Sequence, residues 1–149
     1  MKIALFSTPF ETVSAAEKTA SFIKEAGRRG TALMITESTI DSLARKGVTL
    51  DTETLFEITS ASTVPEGVDF ILSLGGDGTF LRAARWCGSS LIPVAGVNFG
   101  HLGYLTTFSP DELDRLIDIL ERGEYDIDER SVLKIELPEQ FMKEEQFWP

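Results

Sequence analysis

The chain is poor in the residues from which metal sites, disulfides and basic binding surfaces are made. Its 149 residues include one cysteine, Cys87, and one histidine, His101. A single cysteine excludes an intrachain disulfide and fits a reduced compartment. A zinc site is not expected, because neither cysteine nor histidine occurs twice. Asparagine also occurs once, at Asn98. No apolar run approaches the roughly 18–20 residues of a membrane span. The opening run Met1 to Ser7 is too short for a signal peptide, so a cytoplasmic protein is expected. Lysine and arginine number 14 against 24 acidic residues, a net charge of −10. That balance offers no basic footprint for nucleic acid or for an anionic membrane. Internal repeats and low-complexity segments are absent. So are the Walker pattern Gly-x-x-x-x-Gly-Lys-Ser/Thr and the pattern Gly-x-Gly-x-x-Gly. Any phosphate site here is built without a P-loop lysine.

What remains is the composition of a soluble globular domain, 42% hydrophobic and 26% charged, at a length that supports one full core. Short apolar runs at Lys2 to Ser7, Thr31 to Thr36, Asp69 to Leu74 and Leu91 to Val97 predict buried strands. A short strand over Leu55 to Thr59 and a last one over Val132 to Leu137 are also expected. Pro93 conflicts with a central position for its strand. Between the runs lie helical patterns. Ser14-Ala-Ala-Glu17 reads as a capping box opening the first helix, which Gly27 or Gly30 ends. Ser38 to Asp41 caps a second, ending at Gly47. Ser109-Pro-Asp-Glu112 opens a helix whose apolar face is Leu113, Leu116, Ile117 and Leu120, with Gly123 as its stop. Strands alternating with helices, the strands nearly continuous in apolar residues, predict an α/β domain with a parallel sheet covered on both faces.

One stretch stands out, Phe70 to Arg85. A buried strand enters Gly75-Gly76-Asp77-Gly78-Thr79 and a helix leaves it. Glycine lets backbone approach a ligand closely, and a helix N-terminus favours anions. Asp77 is placed to bind or deprotonate a sugar hydroxyl, or simply to cap the helix. Arg82, one turn into the helix, is the better placed of two arginines to grip phosphate, ahead of Arg85. A second glycine-rich loop, Asn98-Phe-Gly-His-Leu-Gly-Tyr104, offers another pocket wall, with the Tyr104 ring available to a base. Both loops follow strands, and ligands of such sheets bind beyond the carboxyl ends of the strands. His101 reads as structural rather than catalytic, and Cys87 as a packing residue at a helix end.

These residues resemble a known family. Gly75-Gly-Asp-Gly-Thr-Phe-Leu-Arg-Ala-Ala-Arg85 is similar to the signature of NAD kinases. Gly96-Val-Asn-Phe-Gly-His-Leu-Gly-Tyr-Leu105 resembles their second motif, and the stretch from Glu121 to Leu133 resembles the segment that leaves their N-terminal domain. Diacylglycerol-type lipid kinases and phosphofructokinases share the Gly-Gly-Asp-Gly-Thr core. Lipid kinases follow it with Asn-Glu, where this chain has Phe80-Leu81-Arg82. The resemblance implies a Rossmann-like three-layer α/β domain with a mostly parallel sheet over residues 1–130. Residues 131–149 would be the first strand and stub of an absent, largely β second domain. The implied activity is transfer of the ATP γ-phosphoryl group to the 2′-hydroxyl of the adenosine ribose of NAD, giving NADP; some members use polyphosphate.

In that scheme Asp77 accepts the hydroxyl proton. Gly76, Asp77, Gly78, Thr79 and Arg82 contact substrate, and Tyr104 lies near the adenine. Mg²⁺ or another divalent cation arrives with ATP. NAD and ATP are the partners, and the full-length form is a homo-oligomer. The family's Asn-Glu or Asn-Asp motif is missing, since Asn98 is followed by Phe99. The alternatives are another Gly-Gly-Asp-Gly-Thr kinase with a lipid or sugar acceptor, or a nucleotide-binding module without catalysis. A cleft shared by two domains is incomplete on one. The purified chain alone is therefore expected to form no NADP from ATP and NAD.

Overall fold

Strand β1 (Lys2–Ser7) contains Ile3, Ala4 and Leu5, none of which exposes any surface. A strand so apolar on both faces needs partners on both edges and a layer above and below. The computed structural model, which describes residues 1–50, 56–60, 62–100 and 103–133, supplies both. β1 lies at the centre of a five-stranded sheet ordered β3-β2-β1-β4-β5, with every neighbouring pair parallel. The other strands are β2 (Ala32–Thr36), β3 (Phe56–Thr59), β4 (Phe70–Leu74) and β5 (Val94–Val97). Helices α1 (Val13–Arg28), α2 (Glu37–Arg45), α3 (Asp77–Cys87) and α4 (Leu113–Arg122) occupy the connections, and a 3₁₀ turn at Pro110–Glu112 leads into α4.

Successive strand residues point to opposite faces, and each face has its own core. Ile3, Leu5, Leu33, Ile35, Leu72 and Leu74 gather with α1, α2 and α4. Ala4, Met34 and Ile71 pack with Ala83, Trp86 and Cys87 of α3 on the other side. The result is the expected three-layer α/β arrangement with a parallel sheet. Its strand order fixes where a ligand can sit. The chain runs outward from β1 through β2 to β3, then returns to the far side of β1 for β4 and β5. The order reverses between β1 and β4, and a crevice opens there beyond the strands' carboxyl ends. Among the described residues no helix is long and apolar enough to cross a membrane.

Several element ends differ from expectation. Thr12, not Ser14, caps α1, accepting the Ala15 N–H at 3.1 Å. Phe10 explains this: its side chain is buried and its N–H donates to Ser42 Oγ at 2.6 Å, so the chain turns directly into the helix and Ser14 falls within the first turn. α2 follows β2 with no intervening loop. Its N-cap is Thr36 rather than Ser38, whose hydroxyl instead meets that of Thr36 at 3.1 Å. β5 starts at Val94, not Leu91. Pro93 stands just ahead of an edge strand, where its missing N–H is not needed, and its carbonyl accepts the Ile71 N–H at 2.9 Å.

The start of the last helix is as expected. Glu112 accepts both the N–H and the hydroxyl of Ser109 at 3.0 Å, with Pro110 next in the chain. Gly123, at φ 67°, ends α4 in the left-handed conformation. The strand expected over Val132 to Leu137 falls mainly outside the described residues. Val132 and Leu133 themselves are exposed and lie in no strand.

Leu5, in the central strand, is the position from which the main core is most easily emptied. Leu5→Ala should lower unfolding free energy by about 3 kcal/mol, measured by urea denaturation at unchanged slope.

Candidate active site

β4 ends at Leu74 and α3 begins three residues later, so the turn between them is tight. Gly75 has φ 154°, and a Cβ there would collide with the side chain of Thr79. Gly76 is the N-cap of α3 and Asp77 its first residue. Thr79 is buried, and its hydroxyl lies 2.8 Å from that of Thr8 in the loop after β1. That contact spans the switch point between β1 and β4. Gly103, in the second loop, is also forced, since a Cβ would strike the Asp77 carboxylate and the Thr106 hydroxyl. Gly76 and Gly78 are different. A Cβ on either meets nothing within 4 Å. The fold does not require glycine at these two positions; the empty space they leave lies in front of the turn.

Asp77 does not cap its own helix. Its carboxylate is turned to the second loop. The Tyr104 N–H donates to Oδ2 at 2.8 Å. Three donors reach Oδ1: the N–H groups of Leu105 and Thr106, at 3.1 and 3.2 Å, and the Thr106 hydroxyl, at 3.0 Å. Hydrogen bonds to the ionised form favour it. The Tyr104 N–H, and then the other donors, hold the Asp77 carboxyl below its usual range against the opposing effect of burial. The second loop is itself braced. Asn98 is buried; its Oδ1 accepts the Gly100 N–H and its Nδ2 donates to Thr106 Oγ1, both at 2.9 Å. Beyond, the Phe108 N–H donates to the Gly96 carbonyl and the Asn98 N–H to that of Phe108, so the returning chain lies along the outer edge of β5.

A cavity of about 430 Å³ occupies the switch point. The loop after β1, the turn after β4 and the start of the second loop enclose it, with the Phe10 and Phe99 rings edge to face at 5.9 Å between them. Of the residues singled out from sequence, Gly76, Gly78, Thr79 and Arg82 line this cavity. Arg82 is exposed and has no acidic partner among the described residues. Asp77 stands behind the cavity rather than in its wall. The Tyr104 ring is outside it as well, 81% exposed, with the Arg130 guanidinium 5.6 Å above its centre. Arg85 is exposed and off the cavity, Cys87 is buried in α3, and His101 lies outside the described residues.

Thr8, Asn98 and Thr106 carry much of this geometry; Asn98 opens the second glycine-rich loop, while no local sequence pattern marks Thr8 or Thr106. A wider hollow of about 630 Å³ lies at the opposite end of the sheet, among Met1, Arg29, Asp69 and Tyr125, remote from both glycine loops. Among the described residues no three histidine, cysteine or acidic side chains cluster to hold a metal ion.

The motif, the switch-point cavity and the fold agree with one family of sequences. A profile of the ATP-NAD kinase N-terminal domain matches residues 10–125. The chain belongs to the NAD kinase family. An NAD kinase of Bacteroides fragilis is 46% identical over 67 residues, which cover 45% of this chain and 23% of that protein. One from Porphyromonas gingivalis is 48% identical over 73 residues, 49% of this chain and 25% of that protein. One from a Geobacter species is 36% identical over 112 residues, 68% of this chain and 39% of that protein. The chain thus spans well under half the length of these curated relatives. Its fold resembles that of a yeast NADH kinase solved in complex with NADH, at a TM-score of 0.59 and 18% identity over 80% of this chain and 37% of that one.

Two substitutions separate the glycines of the two loops. Gly78→Ala, on a helix and in open space, should raise stability by about 0.5–1 kcal/mol. Gly103→Ala should lower it, and thermal unfolding reports both. Asp77→Asn sets an amide NH₂ among N–H donors and should lower Tm by roughly 5 °C at neutral pH. Because the folded carboxyl is depressed, its contribution is complete above the unfolded value near 3.9 and disappears as pH falls through the lower folded value. The gap between parent and Asp77→Asn should therefore close in acid, which circular dichroism melts across pH would show.

Proposed function

We propose that this domain presents the adenosine ribose of NAD to the γ-phosphate of ATP, so that the enzyme of which it forms part makes NADP. The observation that carries this is an ionised Asp77, one oxygen of which retains acceptor capacity, set in the chain between two glycines that line a cavity and that the fold itself does not need. The 2′-hydroxyl oxygen attacks the γ-phosphorus. A new O–P bond forms as the bond from γ-phosphorus to the β–γ bridging oxygen breaks, and ADP departs. The hydroxyl proton passes to Asp77.

A carboxylate held below its usual pKa is a weak base. Phosphoryl transfer tolerates this, because its transition state is loose and the nucleophile's proton leaves late. Alignment of the hydroxyl with phosphorus is then the larger contribution. The N-terminus of α3 and the Arg82 guanidinium, both at the cavity, suit the anionic phosphates. Gly76, Gly78 and Thr79 allow them close approach. A ribose at Asp77 Oδ2 lies beside Tyr104, whose N–H donates to that oxygen and whose exposed ring offers a face to the adenine.

A divalent cation enters with the triphosphate. The described residues provide no cluster of three histidine, cysteine or acidic side chains for it. Residues 1–130 form the nucleotide-facing domain, and 131–149 lead toward a second domain that completes the cleft. The longer lengths of the relatives support that division. The enzyme is taken to be cytoplasmic and homo-oligomeric in the same scheme.

In the complete enzyme, incubation with ATP and NAD should yield NADP. Asp77→Ala should cut kcat by about 10²–10⁴-fold, and Arg82→Ala should raise the KM for dinucleotide about tenfold. Coupled NADP assays measure all three. Retention of the parent rate by folded Asp77→Ala would overturn the role given to Asp77.

A further inference from the structure

We infer that Thr106 and Asn98 are positioning residues that fix the plane of the Asp77 carboxylate, so that its open Oδ2 site meets the substrate hydroxyl in one orientation. The inference rests on the proposal that Asp77 receives a ribose proton. It begins at Gly100, whose N–H donates to Asn98 Oδ1 at 2.9 Å. An N–H has only a proton to offer, so the atom facing it is the amide oxygen, and the orientation of the Asn98 amide is settled. Its NH₂ is thereby aimed at Thr106 Oγ1, at 2.9 Å. The Thr106 oxygen must accept that bond, and its own proton is left for Asp77 Oδ1, 3.0 Å away. The relay is directional: Gly100 to Asn98, Asn98 to Thr106, Thr106 to Asp77. It is also shielded, with Asn98 only 7% and Thr106 1% exposed, so water is not at hand to replace a lost member.

The two carboxylate oxygens are unequal, and the relay holds the plane in which they lie. Oδ1 receives three donors, from the Leu105 and Thr106 N–H groups and the Thr106 hydroxyl. Oδ2 receives one, the Tyr104 N–H. A carboxylate has about four lone-pair sites in all, two on each oxygen. Oδ1 is therefore filled, and the remaining site is on Oδ2. A hydroxyl can dock at one place, and the carboxylate plane is fixed around it. The four donors are uncharged. The charged groups on the facing side are Arg130, stacked on the Tyr104 ring, and Asp128, with which it pairs. Without the Thr106 hydroxyl, Oδ1 keeps its two N–H donors, but the Asn98 amide loses its acceptor and the carboxylate loses the one side-chain bond that fixes its rotation. The cost should fall on orientation in the transition state rather than on binding.

The test compares Thr106→Val and Thr106→Ser in the complete enzyme, by steady-state kinetics with ATP and NAD and by the NMR titration of the Asp77 carboxyl carbon. Thr106→Val should reduce kcat about thirtyfold with the KM for NAD within about twofold, and Asp77 should titrate at higher pH than in the parent. Thr106→Ser should restore both. Should Thr106→Val fail to fold, Asn98→Ala replaces it, with kcat expected to fall about tenfold as the Thr106 proton is freed to turn away. The inference is overturned if the folded variant keeps the parent's kcat and Asp77 titration, or if Thr106→Ser is as impaired as Thr106→Val. If the parent enzyme forms no NADP, the role of Asp77 falls and takes the inference with it. The titration then still separates a structural relay, which shifts it, from none.

Discussion

One carboxylate, that of Asp77, joins the loops at the carboxyl end of the sheet. Loops after parallel strands have no ladder to hold them, and their backbone groups must find partners elsewhere. Here the loop after β5 gives three N–H groups and a hydroxyl to Asp77. Two residues along, Thr79 ties the same helix to the loop after β1. Three segments distant in sequence become one rigid rim around the crevice. The donors that do this also lower the basicity of the carboxylate. The site therefore suits a reaction in which position matters more than base strength, and phosphoryl transfer is such a reaction.

The glycines of the motif have separate physical reasons. Gly75 makes room for Thr79, and Gly103 for Asp77. Both serve the protein's own packing. Gly76 and Gly78 face open space, and the chain's own packing gives no reason for either. A motif read as one glycine-rich unit thus divides into glycines the packing requires and glycines it does not. The division was hidden until the Cβ positions could be placed.

The fold was legible where the chain's own pattern decides it. Apolar runs such as Phe70 to Leu74 have no other stable place than the middle of a covered sheet, and glycine loops after two of them marked the ligand end. Cap residues were less legible. Thr12 and Ser14 are equally good caps in isolation, and the burial of Phe10 chose between them. Pro93 looked inconsistent with a strand until the sheet order placed β5 at an edge. Asp77 could be recognised as important but not as a tie to residues 27 to 29 positions away. Bonds of that range leave no trace in local spacing, which is why Thr106 went unmarked and Asn98 was legible only as the start of a glycine-rich loop.

The sheet's two outer strands are finished in different ways. Along β5, the backbone of Phe108 bonds to Gly96 on one side and Asn98 on the other. At the opposite end β3 has only four residues, and its Glu57 is ion-paired with Lys2 at 2.7 Å. Open edges of a parallel sheet are templates for a foreign strand. With one edge occupied by the chain's own return and the other short and charged, extension of the sheet from copy to copy is discouraged at both ends. The wholly buried β4 and the central β1 stay one strand and two strands away from the nearest edge.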